Sequence, residues 1–138
     1  MKKIPSFGTH LMLDFYGCDS KILDDMSFCY NILAKLPAIL DMHSLTPPIV
    51  VEAPSNEHRG GKDPGGYSGF VIIAESHISL HTFAKKGFVS IDVYSCKDFD
   101  TDETIKYFEN AFRPKEKEVN IINRGTYYQS EKPFGDKK

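Results

Sequence analysis

Phe70-Val71-Ile72-Ile73-Ala74-Glu75-Ser76-His77-Ile78-Ser79-Leu80-His81-Thr82-Phe83 is the stretch that decides what this chain can fold into. Its β-branched and aromatic residues predict strands over 70–74 and 79–83, and Phe88-Val89-Ser90-Ile91-Asp92-Val93-Tyr94 predicts another after the tight Ala84-Lys85-Lys86-Gly87 turn. Three such strands in succession form an antiparallel meander. A polar group within buried strand sequence is costly unless it is satisfied or used. Here a serine lies between a carboxylate and an imidazole in strand-like sequence, with a second histidine five residues on. The run therefore reads first as chemistry.

Outward from this centre, Thr9-His10-Leu11-Met12-Leu13-Asp14-Phe15-Tyr16 predicts a first strand that Gly17-Cys18-Asp19-Ser20 breaks. Asp19 or Ser20 can cap a helix whose Ile22, Leu23, Met26, Ile32, Leu33 and Leu36 recur at roughly helical spacing as far as Pro37. A short strand over 49–53 follows Pro47-Pro48, and the polar, glycine-rich segment 54–66 is a loop long enough to be a lid. Asp100-Thr101-Asp102-Glu103 opens a second helix through Ile105, Phe108, Ala111 and Phe112, stopped by Pro114, and 118–122 supplies a last strand. The order β, α, β, β, β, β, α, β predicts an α+β fold, an antiparallel sheet with two helices on one face. Because Phe70 to Ile73 are apolar in both strand phases, the second face also needs a cover. A second subunit's sheet would supply it, giving a dimer.

At 138 residues the chain fits a single domain over 1–128, with a polar tail over 129–138 expected to be disordered. A net charge of -2, with scattered basic residues, gives no footprint for nucleic acid or an anionic membrane, so small-molecule or protein partners are favoured. Met1-Lys2-Lys3-Ile4-Pro5 does not lead into the apolar run of a signal peptide, and no apolar stretch approaches the roughly 18 residues of a membrane span, so a cytoplasmic location is expected. Cys18, Cys29 and Cys96 lack the number and spacing of a disulfide framework or a zinc site. Cys18 and Cys29 are expected in or at the edge of the core.

For Ser76, the G-x-S-x-G elbow of a hydrolase is missing, and a Ser–His spacing along one strand does not build an oxyanion hole. A serine hydroxyl can instead attack the carbonyl of the residue before it, shifting the chain from amide to ester. β-Elimination of that ester leaves dehydroalanine and then a pyruvoyl group, an electrophilic ketone made from protein. Such a reaction needs a base for the α-proton and donors for the oxyanion, with His81 and Ser68 as candidates.

Gly8-Thr9-His10, Asp14-Phe15-Tyr16-Gly17-Cys18-Asp19, the run from Tyr67 to Phe83 and Gly87-Phe88-Val89-Ser90-Ile91-Asp92-Val93-Tyr94-Ser95-Cys96 together resemble the short prokaryotic S-adenosylmethionine decarboxylases over about residues 8–125. The resemblance implies self-cleavage between Glu75 and Ser76, giving a β chain over 1–75 and an α chain over 76–138 that begins with a pyruvoyl group formed from Ser76. It implies that Ser68 and His81 assist processing, and that Cys96 is the acid that protonates the substrate carbanion. It also implies an S-adenosylmethionine decarboxylase-like α/β sandwich and a homodimer of cleaved protomers packed sheet to sheet. In that reading an amino-acid substrate of polyamine biosynthesis condenses with the ketone as a Schiff base and loses its α-carboxylate, with no metal and no pyridoxal phosphate. As a thiol, Cys96 must keep its proton until that step, which a partly desolvated setting suits. Glu75 and His77 shape the cleavage site.

Departures from the family pattern fall where a nucleoside would sit. Where the family usually reads H-T-W-P-E, its glutamate gripping ribose hydroxyls, this chain reads His81-Thr82-Phe83-Ala84-Lys85, and a lysine has only donors. The family's aromatic approach to Ser68 is replaced by the 56–66 segment, and its usual first-strand arginine by Thr9. Phe83, Lys85, Glu57 and Asp63 are therefore the candidate substrate contacts. Glu57 or Asp63 could meet the cationic end of L-arginine or L-ornithine, the alternative to S-adenosylmethionine. A reading from another class is a non-catalytic homologue that binds a subunit or metabolite, against which intact Ser76, His81 and Cys96 argue.

Overall fold

The computed structural model describes residues 6–128; the tail over 129–138 lies outside the described residues. The chain runs β1 (Gly8–Tyr16), α1 (Ser20–Leu23), α2 (Met26–Ile39), β2 (Ile49–Ala53), β3 (Gly66–Ile73), β4 (Ser76–Phe83), β5 (Phe88–Ser95), α3 (Thr101–Phe112) and β6 (Glu116–Arg124). The strands form one antiparallel sheet in the order β2-β3-β4-β5-β1-β6. This is the expected α+β arrangement.

Strand alternation sorts the side chains by face. Leu11, Leu13, Phe15, Val71, Ile73, Ile78, Leu80, Val89, Ile91 and Val93 are buried beneath Cys29, Leu33 and Leu36 of α2 and Phe108 and Phe112 of α3. Phe28 of α2 meets Phe112 edge-on with ring centroids 5.8 Å apart, and the Tyr107 hydroxyl donates to the Ile32 carbonyl at 3.1 Å, so the two longer helices form one layer. Cys18 and Cys29 are buried within this core, where burial pushes both thiols up to about 11. Thiols held protonated in this way are poor nucleophiles. Among the described residues, no helix lies on the other face. Ile49, Val51, Phe70 and Ile72 are exposed on it, beside Ser68, His77, Ser79 and His81.

Four local features differ from the sequence expectation. The single helix expected from Asp19 or Ser20 is two, because the Asp25 carboxylate accepts the Phe28 N–H at 3.0 Å and starts a new helix, while Asp19 caps the first through the Lys21 N–H at 2.9 Å. α2 also passes through Pro37 to Ile39, with the proline in its last turn. β3 begins at Gly66, four residues before the expected start; a Cβ there would lie 1.8 Å from the Thr82 carbonyl oxygen, so only glycine admits this pairing. The fourth difference places the site: Glu75-Ser76-His77 is not in mid-strand. Ile73 pairs with Ser76, and Ala74-Glu75 is the two-residue turn of the β3–β4 hairpin.

Candidate active site

Hairpins closed by two residues favour turns with positive φ at one or both of them, because those match the strand twist. Neither Ala74 nor Glu75 takes that conformation; Ser76 does, with φ of 149°. A non-glycine residue in this region costs on the order of 1–3 kcal/mol and persists only where its surroundings over-determine it. The strain sits on the residue that follows the Glu75–Ser76 peptide.

Those surroundings come from two segments. From β5, which pairs Ser95 with Ser76, the chain turns so that the Cys96 N–H donates to the Glu75 carbonyl oxygen at 2.8 Å. The buried Ser95 hydroxyl fixes this turn, donating to the Lys97 carbonyl at 2.8 Å and accepting the Lys97 N–H at 3.0 Å. On the other side, residues 43–45 run along the end of β3: Leu45 N–H donates to Ile72 O and Ala74 N–H to His43 O, both at 2.8 Å. His43 then reaches the Glu75 carboxylate, its N–H at 3.1 Å from Oε1 and its ring Nδ1 at 3.0 Å from Oε2. Hydrogen bonding from His43 holds the Glu75 carboxyl below its ordinary range. A carbonyl polarised by an N–H, next to a strained serine, is an arrangement in which the hydroxyl can become an internal nucleophile.

Cys96 joins this hairpin tip but is exposed, so one protomer alone does not give it the desolvated setting expected for a proton-holding thiol. Ser68 and His81 form a separate centre. They face each other across β3 and β4, with His81 Nδ1 2.8 Å from Ser68 Oγ, on the open face beside a cavity of about 390 Å³. His81 lies five residue steps beyond Ser76, about 16 Å along β4. One chain therefore brings Glu75, Ser76 and Cys96 together, brings Ser68 and His81 together, and holds the two groups apart.

None of the four candidate substrate contacts lines the Ser68–His81 cavity. Phe83 packs its ring 5.4 Å from that of Phe88, the two planes tilted by 30°. The Asp63 carboxylate accepts the Gly65 N–H at 2.7 Å, and Glu57 lies 3.4 Å from the Ser55 hydroxyl, so both brace their own loop. That loop is not featureless: it holds a turn of 3-10 helix at Glu57–Arg59, and Asn56 accepts the Asp63 N–H through Oδ1 at 2.9 Å. Lys85 lines a second cavity, of about 260 Å³, with Asp24 and Glu52.

His43, and the partners that surround His77, were not singled out from sequence. His43 belongs to a segment with no catalytic pattern around it, and its role depends on a contact across 32 residues of chain. On the open face near the hairpin tip, His10 Nε2 lies 2.8 Å from Asp92 Oδ1, and the rings of His10 and His77 flank Tyr94, over which Arg124 sits at 4.3 Å. Burial, with a contribution from neighbouring His10, lowers the His77 pKa, so that ring is neutral at pH 7. Among the described residues, no cluster of three or more His, Cys, Asp or Glu is placed to hold a metal, and no helix is long and apolar enough to cross a membrane.

An antiparallel sheet with helices on one face, an apolar open face and a strained serine at a hairpin tip defines an α+β sandwich protein. Its fold matches the crystal structure of the adenosylmethionine decarboxylase from Aquifex aeolicus VF5 with a TM-score of 0.72, at 24% identity, over 88% of this chain and 92% of that one. Residues 9–125 match the family described as S-adenosylmethionine decarboxylase. Similar proteins include an S-adenosylmethionine decarboxylase proenzyme of Clostridium botulinum strain Langeland, 34% identical over 86% of this chain and 94% of its own length. Another, from Pyrobaculum aerophilum, bears the same name and is 33% identical over 87% and 90%. The chain belongs to the S-adenosylmethionine decarboxylase family, a family of pyruvoyl-dependent carboxy-lyases.

Proposed function

We propose that this chain is a self-processing decarboxylase that cuts itself between Glu75 and Ser76 and removes the α-carboxylate of S-adenosylmethionine. The observation that carries this reading is the strained Ser76 directly after a carbonyl held by the Cys96 N–H at 2.8 Å. In the cut, the Ser76 hydroxyl attacks the Glu75 carbonyl carbon, the peptide C–N bond breaks, and the Cys96 N–H stabilises the oxyanion. Elimination then takes the Ser76 α-proton, releases Glu75 as a carboxylate and leaves residue 76 as dehydroalanine, whose imine tautomer water hydrolyses to the pyruvoyl ketone with loss of ammonia. The fit is good, since Ser76 is the first residue of β4 and becomes the amino terminus of the α chain without disturbing the β4–β5 pairing. Once formed, the pyruvoyl group supplies an electron sink for the loss of carbon dioxide. Cys96 directly follows Ser95, the pairing partner of Ser76, and its thiol is the acid assigned in this reading to return the proton.

The remaining helper must arrive from another chain. His81 lies about 16 Å from Ser76 along its own strand, too far for proton transfer. Two sheets packed face to face stand about 10 Å apart and interdigitate their side chains. A two-fold axis crossing β4 midway between Ser76 and His81 sets each hairpin tip over its partner's His81 and Ser68. The same packing covers Ile49, Val51, Phe70 and Ile72 and shields Cys96 from water. The working unit in this reading is a homodimer of single-domain protomers, each cut into 1–75 and 76–138, with two shared sites, acting on a small molecule in the cytoplasm.

A second substrate reading rests on one specific feature: Lys85 shares its cavity with the carboxylates of Asp24 and Glu52, an acidic surrounding that suits a cationic substrate end. L-Arginine and L-ornithine present such an end. Carbon dioxide release measured side by side from S-adenosylmethionine, L-arginine and L-ornithine decides between them. Turnover of S-adenosylmethionine at least tenfold faster is the expected result; release from a basic amino acid alone would replace the proposed substrate.

A further inference from the structure

We propose that His43 is a positioning residue for self-cleavage, holding Glu75 so that the Ser76 hydroxyl stays within reach of the Glu75 carbonyl. The proposal rests on the processing reading and adds to it a residue outside the Glu-Ser-His motif. Hairpin tips are ordinarily the mobile ends of a sheet, whereas intramolecular attack needs the reacting atoms held in a near-attack geometry. Three contacts from His43 reach the two residues that precede the scissile bond: its carbonyl takes the Ala74 N–H, its N–H donates to Glu75 Oε1, and its ring meets Oε2 at 3.0 Å. The Cys96 N–H holds the Glu75 carbonyl from the opposite side. Lys97 closes the frame, reaching from the β5 turn to the carbonyl of Asp41 and to its carboxylate at 3.1 Å. Asp41 has φ of 56°, a left-handed turn that leads the chain from α2 into the His43 segment.

The contacts account for two otherwise unconnected facts. Glu75 keeps a side chain only 12% exposed at a hairpin tip while the ring that binds it is 72% exposed. An exposed histidine adds little to the core, so its value lies in what it holds. Ser76 meanwhile keeps a conformation that would relax if the tip were free, and a carboxylate bound at both oxygens removes that freedom.

A time course of chain cutting after cell-free synthesis of the full chain, read on denaturing gels, tests this. His43→Ala should slow cleavage by roughly ten- to a hundredfold, as expected for loss of a hydrogen bond to a charged group and the disorder that follows. His43→Asn should recover most of the rate, because its side-chain amide nitrogen can occupy the place of ring Nδ1. His43→Ala added to Glu75→Ala should slow cleavage no further. Wild-type cutting with His43→Ala equally fast, or with His43→Asn as slow as His43→Ala, would overturn the proposal. A wild-type chain that stays whole would instead overturn the processing reading itself.

Discussion

In a mixture of Ser76→Ala and His81→Ala chains folded together, only the His81→Ala chain is expected to be cut. Each variant alone should remain whole, the first for want of a nucleophile and the second for want of the base. In a mixed dimer one site combines Ser76 of the His81→Ala chain with His81 of the Ser76→Ala chain, while the other site has neither. Chains of distinguishable mass, co-expressed and analysed after denaturation, report this directly. The expectation follows from the roughly 16 Å that five residue steps place between Ser76 and His81. A His81→Ala chain as uncut in the mixture as alone would refute the shared site.

Replacing Cys96 by alanine should separate the two reactions. The contact to the Glu75 carbonyl comes from the Cys96 backbone N–H, which alanine retains, so the chain should still be cut at a rate within a few-fold of wild type. The thiol is lost, and with it the acid proposed to return the proton after carbon dioxide leaves. Proton transfer from a positioned side chain contributes about 10²–10⁴-fold, and kcat for decarboxylation, normalised to cut chain, should fall by that amount. An equal loss of cutting and turnover would mean that the side chain, and not the backbone, serves the first step.

The strands of the sheet core were legible because β-branched runs with alternating burial leave a direct trace, and β2 and β5 stand close to where that trace puts them. The hairpin turn at Ala74-Glu75 was not. Neither residue is a glycine, proline or asparagine, and the strain that usually marks a turn residue has been moved to Ser76. Once that turn is known, Ser68 and His81 are equidistant from it and must face each other, as they do. The break between α1 and α2 was hidden because Leu23 and Met26 keep the helical spacing across it, and only the Asp25 cap reveals it. Cys18 and Cys29 are buried, as their sequence setting led one to expect, whereas Cys96 is exposed in the single chain and lacks the partly desolvated setting expected of it. His43 could not be read locally, because its meaning lies in a fold that returns the 43–45 segment alongside β3.

Family membership gives the catalytic residues a frame, and the geometry adds a constraint on how they can act. A serine and its polarised carbonyl lie at one end of β4, and a histidine–serine pair lies five residues along it. Neither group completes the other within one chain. In the proposed dimer the open face of the sheet serves the active site as well as assembly, and substitutions there, such as Phe70→Asp, should abolish cutting together with dimer formation.

Intact-mass analysis of the purified wild-type protein tests self-cleavage between Glu75 and Ser76. Two chains are predicted, one ending at Glu75 and the other beginning at residue 76 with a pyruvoyl group in place of the serine, while Ser76→Ala yields one full-length mass. A wild-type protein that is a single uncut chain, or one cut at the same bond in Ser76→Ala, would contradict the account.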